Sequence, residues 1–129
     1  MRHFICYIFI IISLFSCSSI PVDPQLNTEP VNTSNLKDYW LSKHNKQPSI
    51  FNRTQLKQLK DQNVKIIARY LIDSNGNVYD VKIIKTNTDV IFTKLVTKSL
   101  QKRKFYPSSL NQARQPVYTT AMLEFESDK

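Results

Sequence analysis

The alternation of apolar and polar residues between positions 64 and 86 predicts a β-hairpin. Every second residue from Val64 to Asp73 is apolar, and the opposite face is half apolar, which predicts a central strand covered on much of both faces. Asn75-Gly76 follows; this pair holds the only glycine of the chain and tolerates the positive φ of a tight turn. Apolar residues return in Val78–Lys85 with a change of phase after Val78, which predicts a second strand with a β-bulge.

A helix is predicted next, because apolar residues recur at helical spacing over Phe92–Ser99 and Thr88 or Asp89 offers an N-cap. Pro107 marks the end of the helical region, since the residue before a proline disfavours the helical conformation. The opposite face carries a stripe of lysines, which we interpret as a solvated face, with contact to an acidic partner or to anionic headgroups as the alternative. The stripe consists of Lys94, Lys98 and Lys102.

The last strand has the cleanest pattern in the chain. Val117–Phe125 alternates between an apolar face and a mixed face, and Pro116 at its start is compatible with a position at the edge of a sheet. We therefore expect this strand to have one free edge.

Two shorter helices are predicted before the hairpin. The range Asn35–Lys43 begins with a candidate N-cap, and its Leu36, Tyr39 and Trp40 share one face, which predicts a helix docked on the domain. A partner-facing aromatic patch is the alternative, because Trp and Tyr are favoured at interfaces. The range Asn52–Asp61 also begins with a capping asparagine and turns two leucines inward.

The first seventeen residues are typical of an export signal. A short polar start is followed by Phe4–Phe15, which is apolar apart from Ser13 and too short to span a membrane as a helix. The segment ends in Leu14-Phe15-Ser16-Cys17, which resembles a bacterial lipobox, so we expect cleavage before Cys17 and lipidation of its thiol. A plain signal peptide with an incidental Cys17 is the alternative.

Cleavage would divide the chain into three parts: a signal peptide of residues 1–16, a lipidated N-terminus with a linker over residues 17–34, and a domain of residues 35–129. The linker carries three prolines among polar residues, and we expect it to be extended and mobile because it has little to bury. At about 3.3 Å per residue it spans at most about 55 Å.

The charge and the side-chain chemistry argue against an enzyme. The formal net charge is +8, and removal of the signal peptide takes away Arg2 and leaves +7, so acidic partners are favoured, while export argues against nucleic acid. After cleavage His44 is the only histidine and no free thiol remains, and the sequence has no zinc-protease, CxxC or phosphate-loop motif. We therefore predict no catalytic residue, no metal site and no cofactor.

The ordered set of elements resembles the C-terminal domain of TonB-family proteins. The resemblance implies an α+β fold with the order α-β-β-α-β, in which a small three-stranded antiparallel sheet carries the helices on one face. Two positions depart from the family pattern: Ile50-Phe51 replaces a Tyr-Pro pair, and Asn63 replaces a glycine. The matching segments are Thr54–Leu59, Val64–Tyr70, Asp73–Val81, Gln101–Pro107 and Val117–Phe125.

A docking site follows from the same resemblance. Family members dock on outer-membrane transporters, and a short N-terminal segment of the transporter adds as a strand beside the last strand of the domain. The resemblance implies that Lys46, Gln47 and Pro48, just before the first helix, lie near the transporter. It also implies that the backbone of the last strand supplies the pairing edge, through Tyr118, Thr119, Thr120, Ala121, Met122, Leu123 and Glu124.

The expected function is that of a lipid-anchored, periplasm-facing domain that binds a peptide segment of an outer-membrane transporter or another envelope protein by strand addition. Ser18, directly after the lipidated cysteine, is typical of lipoproteins sent to the outer membrane. Lipid cannot transmit force from an inner-membrane motor, so energy transduction by this chain alone is not expected. The alternatives are a structural envelope lipoprotein whose basic face contacts wall polymer or anionic headgroups, and an edge-to-edge homodimer.

Overall fold

The computed structural model describes residues 20–43 and 51–127. The expected lipidation site Cys17 and the expected contact residues Lys46, Gln47 and Pro48 lie outside these ranges, as does His44. No helix within the described ranges is long and apolar enough to cross a membrane. The elements in chain order are β1 (Val31–Asn32), a 3-10 turn (Leu36–Asp38), β2 (Trp40–Ser42), α1 (Arg53–Asp61), β3 (Lys65–Ile72), β4 (Val78–Thr86), α2 (Val90–Gln101), β5 (Phe105–Pro107) and β6 (Val117–Glu124).

A four-stranded sheet in the order β1-β6-β3-β4 forms the frame of the fold. β3 lies between β4 and β6 and is antiparallel to both, so the expected three-stranded antiparallel sheet and the α+β class are confirmed. β1 adds to the outer side of β6 as a short parallel strand, which the sequence pattern did not predict. β2 and β5 pair in a separate two-stranded antiparallel sheet.

Both α-helices begin at the predicted caps. The Asn52 side chain accepts a hydrogen bond from the Gln55 N–H, and the Gln55 side chain accepts one from the Asn52 N–H, which forms a capping box. At the start of α2, Asp89 Oδ1 accepts from the N–H groups of Ile91 and Phe92 at 3.0 and 3.1 Å. These bonds satisfy backbone donors that the first helical turn leaves free.

The core lies on one face of the sheet, beneath the helices. β3 contributes alternate residues that are fully or almost fully buried, and α1 and α2 contribute one and three buried apolar residues respectively. On the outer face of β3, Lys65 and Arg69 are exposed and Ile67 is half-buried, whereas Leu71 is buried. The expectation of a strand covered on both faces therefore holds only at the Leu71 end. The buried set is Ile66, Ala68, Tyr70, Ile72, Leu59, Phe92, Val96 and Leu100.

The hairpin joining β3 and β4 forms at the predicted turn. Asp73 is fully buried, and its Oδ1 accepts from the N–H groups of Asn75 and Asn77 at 3.0 and 2.9 Å, which fixes the turn. β4 then departs from regular pairing at two places, one of which spans Asp80 at φ +51°. The predicted bulge after Val78 is therefore confirmed.

The predicted helix over Asn35–Lys43 is wrong. The chain forms the 3-10 turn and then β2, because β2 pairs with β5 and this pairing replaces further helical hydrogen bonds. Trp40 is 1% exposed and its Nε1 donates to the Gln115 carbonyl at 2.9 Å. The expectation that this segment docks on the domain is confirmed, and Trp40 is not part of a partner-facing patch.

The segment before the domain is also attached to it. Residues 20–33, called the strap below, were expected to belong to a mobile linker. In the structure they run along the hairpin turn and then along β6, and they form backbone and side-chain hydrogen bonds to both. Several strap N–H and C=O groups that an unattached linker would expose to water have protein partners here.

Candidate docking edge

β6 is the most regular strand of the sheet. It pairs with β3 over all eight residues, from Lys65↔Glu124 to Ile72↔Val117, without a register shift. Regular pairing leaves the strand straight enough to serve as a template for another strand on its other side.

The backbone groups that face away from β3 can be assigned from the contacts with β1. The carbonyls of Pro116 and Tyr118 accept from the N–H groups of Val31 and Thr33 at 3.1 and 2.9 Å. Backbone groups alternate sides along a strand, so Thr120, Met122 and Glu124 point their N–H and C=O groups in the same outward direction as Tyr118. The backbones of Thr119, Ala121 and Leu123 face β3 instead.

Among the described residues, the outward side of β6 is open only from Thr120 onward. β1 ends at Asn32, and no other strand of the described chain pairs with this side of β6. The sequence led us to expect a free edge from Tyr118 onward. This expectation is wrong at Tyr118 itself, because the Tyr118 carbonyl already accepts a hydrogen bond from the Thr33 N–H. We call the outward backbone groups of Thr120, Met122 and Glu124 the docking edge.

The two faces beside the docking edge differ in polarity. On the outer face Thr120 is exposed and Met122 is 63% exposed, while Glu124 pairs with Lys65 across the sheet at 3.1 Å. On the helix face Ala121 and Leu123 are half-buried and extend the apolar core to the rim of the sheet. A strand added here would meet a polar outer face and an apolar inner face.

Aromatic side chains close the end of β6. Phe51 stands edge-on to Phe125 with ring centroids 5.8 Å apart, and it also contacts Phe92 at 6.4 Å. Phe51 is one of the positions that depart from the family pattern, and this cluster gives it a packing role.

On the outer face, a cleft of about 330 Å³ lies beside Met122 and is lined by Lys65, Ile67, Lys85, Thr86, Asn87, Met122 and Glu124.

The opposite edge of the sheet is a poorer template. β4 has two register shifts, a residue at positive φ, and exposed lysines at positions 82 and 85. Bulges and edge lysines are features that prevent the pairing of another strand. The α2 lysine stripe is exposed, which fits both a solvated face and contact with an acidic partner or anionic headgroups. In the described ranges no cluster of three or more Cys, His or acidic side chains is placed to hold a metal ion.

Comparisons with known proteins agree with this architecture. Residues 55–126 match the family described as the Gram-negative bacterial TonB protein C-terminal, which is more than half of the chain. The solution NMR structure of the Pseudomonas aeruginosa TonB C-terminal domain is similar in fold, with a TM-score of 0.53 and 15% sequence identity, over 76% of this chain and 94% of that one. No curated protein matches the chain. The chain therefore belongs to the TonB C-terminal domain family.

Proposed function

We propose that this chain is a lipid-anchored, periplasm-facing domain that binds an extended segment of an outer-membrane transporter, or of another envelope protein, by strand addition at the docking edge. The observation that carries the proposal is that β6 already accepts a strand. β1 comes from a different part of the chain and pairs with the outward side of β6 through backbone hydrogen bonds. Further along the same side of β6, Thr120, Met122 and Glu124 point their backbone N–H and C=O groups outward in the same orientation.

The surroundings of the docking edge favour a particular kind of segment. Backbone pairing gives affinity whatever the sequence, while alternate side chains of an added strand fall on the two faces of the sheet. Those on the inner face would pack against Ala121 and Leu123, which favours small or β-branched apolar residues at every second position. Those on the outer face would lie beside Thr120 and Met122 and tolerate polar residues.

Lipidation at Cys17 would hold this domain close to the membrane. The strap is bonded to the domain from Pro21 onward, where the Pro21 carbonyl accepts from the Tyr79 hydroxyl at 2.9 Å. Three residues, Ser18 to Ile20, then separate Cys17 from Pro21, a reach of about 13 Å over four steps of about 3.3 Å. With Ser18 directing the lipoprotein to the outer membrane, the domain would face transporters of that membrane from the periplasmic side.

Photocrosslinking in intact envelopes tests the proposal. A photoreactive amino acid is placed at Thr120, on the docking edge, and a control at Lys98, on the exposed face of α2. We expect adducts between the Thr120 position and an outer-membrane transporter, identified by mass spectrometry, and none at Lys98. Adducts confined to Lys98, or formed only with a second copy of this chain, would contradict transporter binding through β6.

A structural role in the envelope is the second candidate, and the exposed lysines of α2 favour it. Contact between these lysines and anionic polymer would weaken steeply as ionic strength rises, because exposed charges are screened within about 10 Å at 0.1 M salt. Backbone pairing supported by apolar contacts would change little. Binding of the full chain to isolated cell wall at low and high salt therefore separates the two candidates.

A further inference from the structure

Two sets of contacts hold the strap besides the hydrogen bonds from the Tyr79 hydroxyl to the Pro21 carbonyl and from Asn27 Nδ2 to the Ala113 carbonyl at 2.8 Å. The first set, here called the latch, lies at the hairpin turn: the Gln25 N–H donates to Asp73 Oδ2 at 3.0 Å, the Ser74 N–H donates to the Gln25 carbonyl at 2.9 Å, and the Asn27 N–H donates to Ser74 Oγ at 3.0 Å. The second set is β1 itself on β6. Pro30 and Glu29 lie between the two sets, and the Glu29 carbonyl accepts from Gln115 Nε2 at 2.7 Å.

The latch is set in a more protected environment than β1. Asp73 is fully buried and Ser74 is 8% exposed, so their hydrogen bonds are shielded from water. Val31 is 37% exposed and Asn32 is exposed, which means that β1 contributes little to the core. Besides its backbone bonds, β1 is held by Arg69, whose Nη2 donates to Asn32 Oδ1 at 2.7 Å. The hydrogen bonds of the latch are therefore better shielded from water than those of β1.

The position of β1 limits what the docking edge can accept. β1 occupies the outward backbone groups at Pro116 and Tyr118, which continue in line with those of Thr120, Met122 and Glu124. A segment of about five residues fits the open part alone. A longer segment, of about seven residues or more at 3.3 Å per residue, reaches Tyr118 and meets Val31–Thr33.

We propose that Val31–Thr33 is a resident strand that competes with the partner for the edge of β6, and that the partner is an extended segment long enough to displace it. This inference rests on the proposed function and deepens it. The partner pairs first with Glu124, Met122 and Thr120, and continued pairing toward Tyr118 releases β1. Arg69 loses Asn32 but keeps its position 4.5 Å above the Tyr118 ring, so the outer face of the enlarged binding edge stays ordered.

A matched pair of proline variants of the full chain separates competition from general loosening of the strap. Val31→Pro removes the N–H that donates to the Pro116 carbonyl and follows a proline already present. Thr28→Pro is the control, because the Thr28 N–H makes no hydrogen bond within the described chain and lies between the latch and β1. Loss of one backbone hydrogen bond typically shifts the equilibrium between the paired and the released strand by about two- to tenfold.

Amide hydrogen exchange of the full chain tests the inference without a partner. We expect the Thr33 amide to exchange at least about tenfold faster than the Tyr70 amide of the central strand, because β1 opens locally. Val31→Pro should accelerate Thr33 exchange by a further factor of about two to ten, and Thr28→Pro should leave it unchanged. Equal protection of Thr33 and Tyr70 would overturn the resident-strand proposal, since β1 would then open only on global unfolding.

Crosslinking from Thr120 in intact envelopes provides the second readout. We expect the yield of the adduct with the same outer-membrane protein to rise about two- to tenfold in Val31→Pro and to stay unchanged in Thr28→Pro. An adduct whose yield is the same in both variants would overturn competition by β1 and leave strand addition intact. Absence of any Thr120 adduct in all variants would instead overturn the proposed function, and the resident-strand proposal with it.

Discussion

Gly76→Ala is predicted to destabilise the domain severely, because two constraints meet at this residue. Gly76 has φ +80°, a conformation that disfavours a side chain by about 1–2 kcal/mol. An added Cβ would also lie 2.1 Å from the Phe105 carbonyl oxygen, where real contacts are almost never below 3.0 Å. The β5 backbone would have to move, although the Phe105 N–H donates to the Gly76 carbonyl at 2.9 Å.

The magnitude follows from these contacts. Relief of the clash loses that hydrogen bond, worth about 0.5–1.5 kcal/mol, and overpacking of a buried site costs about 1–3 kcal/mol. We expect a total loss of about 3–6 kcal/mol in the free energy of unfolding, a large share of the 5–15 kcal/mol typical of a domain. The backbone shift would also disturb Trp40, whose Cζ3 lies 3.4 Å from the added atom.

Equilibrium urea unfolding followed by tryptophan fluorescence measures this effect, since Trp40 is the only tryptophan and is buried. Asn75→Ala is the matched control in the same turn: its side chain is exposed, and the backbone bond to Asp73 remains, so a change within about 0.5 kcal/mol is expected. A loss below about 1 kcal/mol in Gly76→Ala would refute the close approach of the turn to β5.

Three further predictions concern the latch, the core and the lysine stripe. Asp73→Ala should lower the free energy of unfolding by about 2–4 kcal/mol in urea titrations, because three backbone donors lose their acceptor, and Asp73→Asn should lower it less. Burial raises the pKa of the Tyr70 hydroxyl above its ordinary value of 10, so above pH 10 this tyrosine ionises more readily in the unfolded state than in the folded state. The contribution of the neutral hydroxyl to the free energy of unfolding is therefore complete below pH 10 and is lost as the pH rises further. Wild type should lose stability above pH 10 more steeply than Tyr70→Phe. Replacing Lys94, Lys98 and Lys102 by Gln should leave the yield of the Thr120 adduct unchanged, because these side chains lie on the exposed face of α2; a lower yield would favour contact through this basic face.

Local chemistry made the helices and the hairpin predictable. The caps at Asn52 and Asp89 and the Asn-Gly turn each act within four residues, so the sequence alone indicates where those elements begin. The regular alternation of β6 was equally clear, because it reflects one buried face. The range of the last strand followed from this alternation, and Pro116 at its start indicated a position at an edge of the three-stranded sheet.

Long-range pairing explains what the sequence did not reveal. β1 has only two residues between polar and proline-containing stretches, and its pairing with β6 joins segments about 86 residues apart, so no periodicity marks it. The spacing of Leu36, Tyr39 and Trp40 fits a helix, but the antiparallel partner in β5 makes Trp40–Ser42 a strand. Which backbone groups of β6 face outward depends on the register of its pairing with β3 and β1, and the sequence pattern does not specify that register.

Membership of the TonB C-terminal family makes this chain a TonB-like interaction domain of the cell envelope. Its structure adds a feature that bears on how such a domain would bind: a strap that is latched at the hairpin turn and ends as a strand on the edge of β6. The proposed partner would thus compete with a segment of the chain itself for part of that edge.

The central claim is that a partner adds as a strand to the edge of β6, and it is tested most directly by removing one outward-facing backbone N–H of β6. The Met122 N–H faces away from β3, so Met122→Pro should keep the fold, with unfolding free energy within about 1 kcal/mol of wild type. Met122→Ala is the control, because it removes the same exposed side chain and keeps the N–H. We predict that Met122→Pro lowers the yield of the Thr120 adduct by about two- to tenfold, the effect of losing one backbone hydrogen bond, whereas Met122→Ala retains it. Equal yields in the two variants, with both folded, would contradict strand addition at β6.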